Sequence, residues 1–139
     1  TYNHALSEIR SGEKRSHWMW FIFPQIDGLG FSSTSKLYAI KSVEEAQAYL
    51  VHPVLGARLR ECFEAVNTVQ GRSAYAIFGF PDDKKLKSCA TLFASLPDTD
   101  SVFDRTLTKY FRGERDEKTL RILARLSSAR LVNTESEVH

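Results

Sequence analysis

Paired cysteines, an excess of charge of either sign and long apolar runs are all missing from this sequence. Its two cysteines, Cys62 and Cys89, stand among apolar neighbours, without the spacing of a zinc site or the density of a disulfide scaffold. The longest apolar run covers residues 18–24, far short of the roughly 20 residues of a transmembrane helix. These absences disfavour a secreted or membrane protein, and we expect a cytoplasmic protein with no membrane partner.

The charge of the chain is nearly balanced, since 19 lysines and arginines stand against 17 aspartates and glutamates, for a net charge of +2. A general surface for nucleic acid or anionic membrane needs a stronger positive excess. Nucleic acid is therefore not expected as a partner, although a local basic run can still bind one phosphate group. The sequence leaves the oligomeric state open.

Hydrophobic residues make up 42% of the chain, and nine Phe, five Tyr and two Trp supply large side chains for a core. Apolar residues recur at the three- and four-residue spacing of amphipathic helices along most of the sequence. We predict an all-α fold, a single compact multi-helix domain of about seven or eight helices over residues 1–126. Residues 127–139 are polar and aperiodic, which predicts a flexible C-terminal tail.

Two stretches are less regular. Residues 16–23 fit either a buried helix or a short strand, and because no partner strand is evident we predict a short helix ended by Pro24. Residues 25–35 contain two glycines and four hydroxyl side chains, which indicates a loop. Gly28 and Gly30 would let the backbone approach a ligand. The segment lacks the ending of a P-loop, however, and a plain loop is favoured.

The first candidate site segment, residues 14–25, combines two cations and a histidine with the most aromatic stretch of the chain. Arg15 is a candidate for binding phosphate, and Trp18 and Trp20 are candidates for stacking a base or sugar. The imidazole of a histidine can exchange a proton near neutral pH, so His17 is a candidate acid or base catalyst. Gln25 completes the candidate ligand-binding residues of this segment. The alternative is a buried aromatic core segment with a solvated basic end.

The second candidate segment, residues 78–88, surrounds the start of a predicted helix. Lys85 is a candidate for binding phosphate, Asp82 for contacting a ribose hydroxyl, and Asp83 for activating water as a catalytic residue. The alternative is that both aspartates only cap the helix. A cleft lined by both candidate segments is the observation that would favour a site over a core.

Other kinds of site lack a sequence signal. No cluster of histidines, cysteines and acids has the spacing of metal ligands, and no serine or cysteine nucleophile motif occurs. We therefore predict no metal site and no cofactor.

The chain resembles, over about residues 2–126, the uncharacterised family known as domain of unknown function 1810. The resemblance rests on four segments in order: RSHWMWFIFPQ at residues 15–25, YLxHPVLGxRL at 49–59, IFGxPDDxKLxS at 77–88 and FxGxxDxxTL at 111–120. This family is described as mainly helical and has no assigned activity. Some of its members carry a calpastatin label, which the globular composition of this chain does not support, because calpastatin-type inhibitors are disordered repeats.

The order of these segments also resembles the helical layout of the NADAR, or YbiA-like, superfamily, which is associated with NAD and ADP-ribose metabolism. Some members of that superfamily cleave N-glycosidic bonds to ADP-ribose. Their catalytic helix motif has no counterpart here that can be aligned, so no catalytic residue is transferred. Together with the two candidate segments, this resemblance leads us to expect a pocket between helices for a nucleotide-like or ADP-ribose-like small molecule, with N-glycoside hydrolysis as the activity to test. The alternative function is a non-enzymatic protein-interaction module with no ligand pocket.

Overall fold

The structure, a computed structural model, describes residues 1–30 and 33–138. Apart from one isolated bridge, all regular elements in this part of the chain are helices, which confirms the all-α prediction. The nine helices of the described residues are α1 (Tyr2–Arg10), α2 (Met19–Ile22), α3 (Ser33–Tyr38), α4 (Val43–Val51), α5 (Leu55–Thr68), α6 (Ala74–Phe78), α7 (Asp82–Ala94), α8 (Val102–Phe111) and α9 (Glu117–Val138).

Aromatic rings fill the centre of the domain, where α8 packs against both α5 and α7. Phe63 on α5 meets Phe103 on α8 edge to face, with ring centroids 4.9 Å apart, and meets Phe23 in the same way at 5.0 Å. Phe93 on α7 stacks on Phe103 at 5.5 Å. All four rings are fully buried. Aromatic pairs add stabilisation beyond the area that they bury, so these rings tie the central helices together.

The helices α2 and α3 precede and follow the glycine-containing segment of residues 25–30. The prediction of a short helix ended by Pro24 is confirmed, because α2 is a single turn. Beyond it, the N–H of Ile40 donates to the carbonyl of Gln25 and the N–H of Asp27 donates to the carbonyl of Ile40, both at 2.8 Å. The loop predicted over residues 25–35 is thus closed at its base. Its last three residues belong to α3, and residues 31 and 32 lie outside the described part.

The helix α9 begins after Asp116, where the carboxylate accepts hydrogen bonds from the N–H of Thr119 at 3.0 Å and from its hydroxyl at 2.5 Å. The helix continues to Val138. The predicted boundary between domain and tail, at residue 126, falls within α9 and stays a prediction. Within residues 1–30 and 33–138, no helix has the length and apolar character required to cross a membrane.

Candidate functional site

A buried carboxylate on α1 fixes the start of the first candidate segment. One oxygen of Glu8 accepts hydrogen bonds from the N–H groups of Arg15 at 2.5 Å and Ser16 at 2.9 Å, and from the indole N–H of Trp18 at 3.1 Å. The other oxygen accepts from the Ser16 hydroxyl at 2.5 Å. Burial opposes ionisation of this group, but the hydrogen bonds outweigh it and lower the pKa of Glu8 to about 2. These hydrogen bonds therefore hold residues 15–18 against α1.

This anchoring decides where three of the predicted site residues lie. Trp18 is buried, with its N–H bonded to Glu8. The Arg15 side chain is 60% exposed, and its guanidinium lies 3.4 Å from the Glu13 carboxylate. His17 is exposed beside a separate hollow of about 310 Å³ that it shares with His4. The hydrogen bonds to Glu8 thus hold Trp18 in the core and leave the side chains of Arg15 and His17 exposed.

An ion pair joins the two candidate segments. The ammonium of Lys14 lies 2.8 Å from a carboxylate oxygen of Asp82, and these side chains are only 7% and 18% exposed. The same ammonium donates to the carbonyl of Ser16 at 2.5 Å and lies 5.1 Å from the ring centre of Trp18. Ion pairs shielded from water are screened less than surface pairs. The contact therefore holds the start of α7 against residues 14–18.

A second cation continues this contact toward α2. The ammonium of Lys85 lies 3.1 Å from the other carboxylate oxygen of Asp82. It also sits over the Trp20 ring, 4.0 Å from the ring centre. Attraction between a cation and the face of an indole ring stabilises this arrangement. Lys14, Asp82, Lys85 and Trp20 thus form one connected cluster, which we call the Lys14–Trp20 cluster.

A cavity of about 380 Å³ opens beside this cluster. Its wall is formed by Trp20 of α2, residues 25–30, Tyr38 at the end of α3, and the first turns of α7 and α9. Both candidate segments therefore line one cleft, since Trp20 and Gln25 come from the first and Lys84 and Lys85 from the second.

The predicted residues divide into two groups at this cavity. Trp20, Gln25 and Lys85 line it. Asp82 stands behind them, paired with Lys85. Asp83 accepts a hydrogen bond from the N–H of Lys84 at 2.9 Å, whereas the N-cap of α7 is Pro81, whose side chain makes no capping hydrogen bond.

The remaining predicted residues, Arg15, His17 and Trp18, do not line this cavity. Arg15 and His17 are exposed elsewhere, and Trp18 is buried. The interaction-module alternative expects Trp18, Trp20 and Phe78 to be buried. Trp18 and Phe78 are buried, whereas Trp20 is partly exposed at the cavity.

Several lining residues were not predicted as site residues. Tyr38 comes from α3 and meets Phe21 edge to face, with ring centroids 4.7 Å apart. Lys118 and Asp116 come from the start of α9. Asp116 carries a cap signal in the sequence. Neither Tyr38 nor Lys118 carries any signal of a site, because only the packing of α3 against α2 and of α9 against α7 brings them to the cavity. Asp27 lies in the segment predicted to be a plain loop.

Gly30 allows the loop to lie close to α3. A Cβ atom at this position would lie 2.5 Å from the hydroxyl oxygen of Ser35, closer than van der Waals contact allows. A glycine is therefore required where the segment passes Ser35, another lining residue.

Positive charge predominates at the cavity. Three lysines line it, Lys84, Lys85 and Lys118, against two aspartates, Asp27 and Asp116. The Asp116 carboxylate is already occupied by the capping bonds of α9. Lys84 is exposed, and its ammonium makes no ion pair with the residues that the structure describes. Across those same residues, no three His, Cys, Asp or Glu side chains are grouped as metal ligands.

Comparison with known proteins places the chain in a family. The sequence model of the family described as "Protein of unknown function (DUF1810)" matches residues 1–123, and the chain belongs to this family. The crystal structure of the conserved hypothetical protein Rv1873 from Mycobacterium tuberculosis is similar, with a TM-score of 0.87 and 53% sequence identity. The match covers 88% of this chain and 88% of that chain. No curated protein matches the sequence.

Proposed function

We propose that this protein binds a nucleotide-like small molecule that carries at least one phosphate, such as a nucleoside phosphate or ADP-ribose, in the cavity beside the Lys14–Trp20 cluster. The observation that carries the proposal is that aromatic rings from α2 and α3 and lysines from α7 and α9 line the same cavity. A nucleotide joins a planar base to a charged phosphate through a ribose, and its recognition needs aromatic and cationic side chains in one place.

The size and the aromatic wall of the cavity support this ligand class. Its volume of about 380 Å³ lies within the roughly 300–1,000 Å³ of small-molecule pockets. Trp20 and Tyr38 both line it and are partly exposed, so each ring keeps surface available for a flat group. Stacking on such rings is tolerant of base identity, and the proposal therefore names a class of ligand.

The charge of the cavity supports an anionic group on the ligand. Lys84 combines an exposed side chain with the lack of an ion-pair partner among the described residues. An ammonium in that state binds phosphate as a point charge without first breaking a protein contact. We assign the phosphate to Lys84 and the stacking of the flat group to Trp20 and Tyr38. The site thus uses Trp20, Gln25 and Lys85 of the predicted residues and gives no ligand contact to Arg15, His17 or Asp83.

A thermal-shift panel tests the proposal. AMP, ADP, ADP-ribose and NAD are titrated alongside adenosine and inorganic phosphate, which supply each half of the ligand alone. A ligand that binds only the folded state raises the melting temperature progressively once its concentration exceeds the dissociation constant. We expect the complete nucleotides to stabilise the protein more than either half does. Equal, negligible shifts across the panel would support the interaction-module alternative instead.

Hydrolysis of an N-glycosidic bond is the second candidate function, and Asp27 is the observation that favours it. In this reaction water replaces the base at C1′ of the ribose, and a carboxyl group assists as acid or base. Of the two carboxylates at the cavity, Asp116 is occupied by its capping bonds, which leaves Asp27. Release of free base from NAD or nucleotides, followed by chromatography, should occur with the wild type and fall sharply with Asp27→Asn. Binding without release would limit the function to recognition.

A further inference from the structure

We propose that Lys14 and Asp82 are positioning residues that hold the Lys85 ammonium across one face of Trp20, so that a ligand can stack only on the other face of the ring. The inference rests on the proposed function, because it describes how the same cavity presents its aromatic wall. It separates two neighbouring lysines by role: Lys85 orients the ring, and Lys84 binds the phosphate.

Lys14 is placed to support other residues rather than to contact a ligand. Its side chain is 7% exposed, and its ammonium is shared by the Asp82 carboxylate, the Ser16 carbonyl and the face of Trp18. A buried ammonium with three partners cannot turn to a ligand without leaving polar groups unpaired. Its effect on the cavity therefore passes through Asp82.

Asp82 transmits this support because its two oxygens have different partners. One oxygen faces Lys14 at 2.8 Å and the other faces Lys85 at 3.1 Å. The carboxylate cannot rotate freely while both ion pairs persist. A lysine side chain is otherwise long and flexible, so the fixed carboxylate is what restricts where the Lys85 ammonium can lie.

The restricted ammonium covers Trp20. It lies 4.0 Å from the ring centre, within the range in which a cation attracts an aromatic face. A base cannot occupy the face that this ammonium occupies. Because Trp20 lines the cavity, a ligand there meets an indole ring whose one face is already covered by the Lys85 ammonium.

Proton NMR tests whether the cluster holds Lys85. In the wild type, the ε-methylene protons of Lys85 should be shifted upfield by the Trp20 ring current, and Trp20→Leu should abolish the shift. The double variant Lys14→Met/Asp82→Leu removes both buried charges together, which avoids leaving one of them unpaired. We expect the upfield shift to collapse in this variant. If the double variant does not fold, Asp82→Asn gives the same comparison, because it removes the carboxylate charge and keeps an amide oxygen as an acceptor for Lys14.

Calorimetric titration with AMP and with adenosine tests the separation of roles. Loss of positioning in Lys14→Met/Asp82→Leu should raise the dissociation constants of AMP and adenosine by the same factor, about threefold to tenfold for one aromatic contact. Lys84→Ala should raise the dissociation constant of AMP by a similar factor and leave that of adenosine unchanged. Arg125→Ala, which removes one positive charge at an exposed residue outside the cavity, should change neither.

The NMR and calorimetric experiments distinguish failure of the positioning role from failure of the proposed function. A full upfield shift of Lys85 that persists in the double variant overturns the positioning role, whatever the ligand does. Unequal loss of AMP and adenosine in that variant also overturns it, because positioning of a stacking ring affects both. If the wild type binds neither ligand, the proposed function is wrong, and the NMR comparison alone decides whether Lys14 and Asp82 hold Lys85.

Discussion

The carboxylate of Glu8 lies 3.1 Å from the indole nitrogen of Trp18, and this contact fastens α1 to the residue that leads into α2. The same carboxylate also accepts from the backbone and the hydroxyl of Ser16. Trp18 is buried, and Trp20, two residues further on, lines the cavity. A single buried acid thus decides which tryptophan belongs to the core and which faces the candidate site.

Replacement of Glu8 should destabilise the whole domain. In Glu8→Ala, the N–H groups of Arg15, Ser16 and Trp18 lose their acceptor, and buried donors without partners are costly. We expect the free energy of unfolding to fall by about 3 kcal/mol, measured by urea denaturation. Glu13→Ala is the matched control, since its side chain is 57% exposed, and should stay within about 0.5 kcal/mol of the wild type. Equal effects of the two substitutions would contradict the anchoring role.

The pH dependence of stability should carry the signature of Glu8. Its pKa is about 2 in the folded protein, against an ordinary value of 4.5. Because the folded pKa is depressed, this stabilisation is complete above about pH 4.5 and is lost as the pH falls toward the folded pKa. Urea unfolding between pH 6 and pH 2 measures the slope, which we expect to be shallower in Glu8→Gln. Parallel slopes for the two proteins would assign acid sensitivity to other groups.

Both cysteines should be unreactive in the folded protein. Burial raises the pKa of the Cys62 thiol to about 12 and that of Cys89 well above its usual value, and only the thiolate is an effective nucleophile. Ellman's reagent at pH 8 should label neither residue within the time in which it labels both in guanidinium. Rapid labelling of native Cys62, which borders a small apolar hollow, would show that this part of the core opens.

The start of α9 should depend on Asp116 as a helix cap. Asp116→Ala removes the acceptor for the N–H of Thr119 and should cost about 1 kcal/mol of stability. Asp116→Asn retains a good capping side chain and should cost much less. Thermal unfolding monitored by circular dichroism distinguishes the two variants. If Ala and Asn are equally harmful, the charge of Asp116 at the cavity matters more than its capping bond.

The sequence predicted the helices and singled out two candidate segments, because both follow from local patterns. Amphipathic spacing defined the helical stripes, and the unusual composition of residues 14–25 and 78–88 marked each of them as a candidate. Trp20, Gln25 and Lys85 were predicted as site residues in this way, and they line the cavity. The role of Glu8 could not be found, since nothing local distinguishes a carboxylate that is buried by its partners from one on a solvated helix face.

Tertiary packing explains the rest of the difference. Arg15 and His17 lie beside Trp18 in the chain, yet the hydrogen bonds to Glu8 orient this turn so that neither lines the cavity. Tyr38 and Lys118 reach the cavity only because α3 folds back through the pairing of Ile26 with Ile40 and α9 starts beside α7. Contacts between residues so far apart in sequence leave no periodic or compositional trace.

An amide NMR titration with AMP reports both whether the ligand binds and where it binds. We expect saturable chemical-shift changes concentrated at Gly28, Lys84, Lys118 and the indole N–H of Trp20, which surround the cavity. Amides near His17 and His4, which share the other hollow, should be unaffected. Binding of a nucleotide in this cavity is contradicted if millimolar AMP shifts no resonance, or if the changes centre on His17 and leave the resonances of Trp20 and Lys84 unchanged.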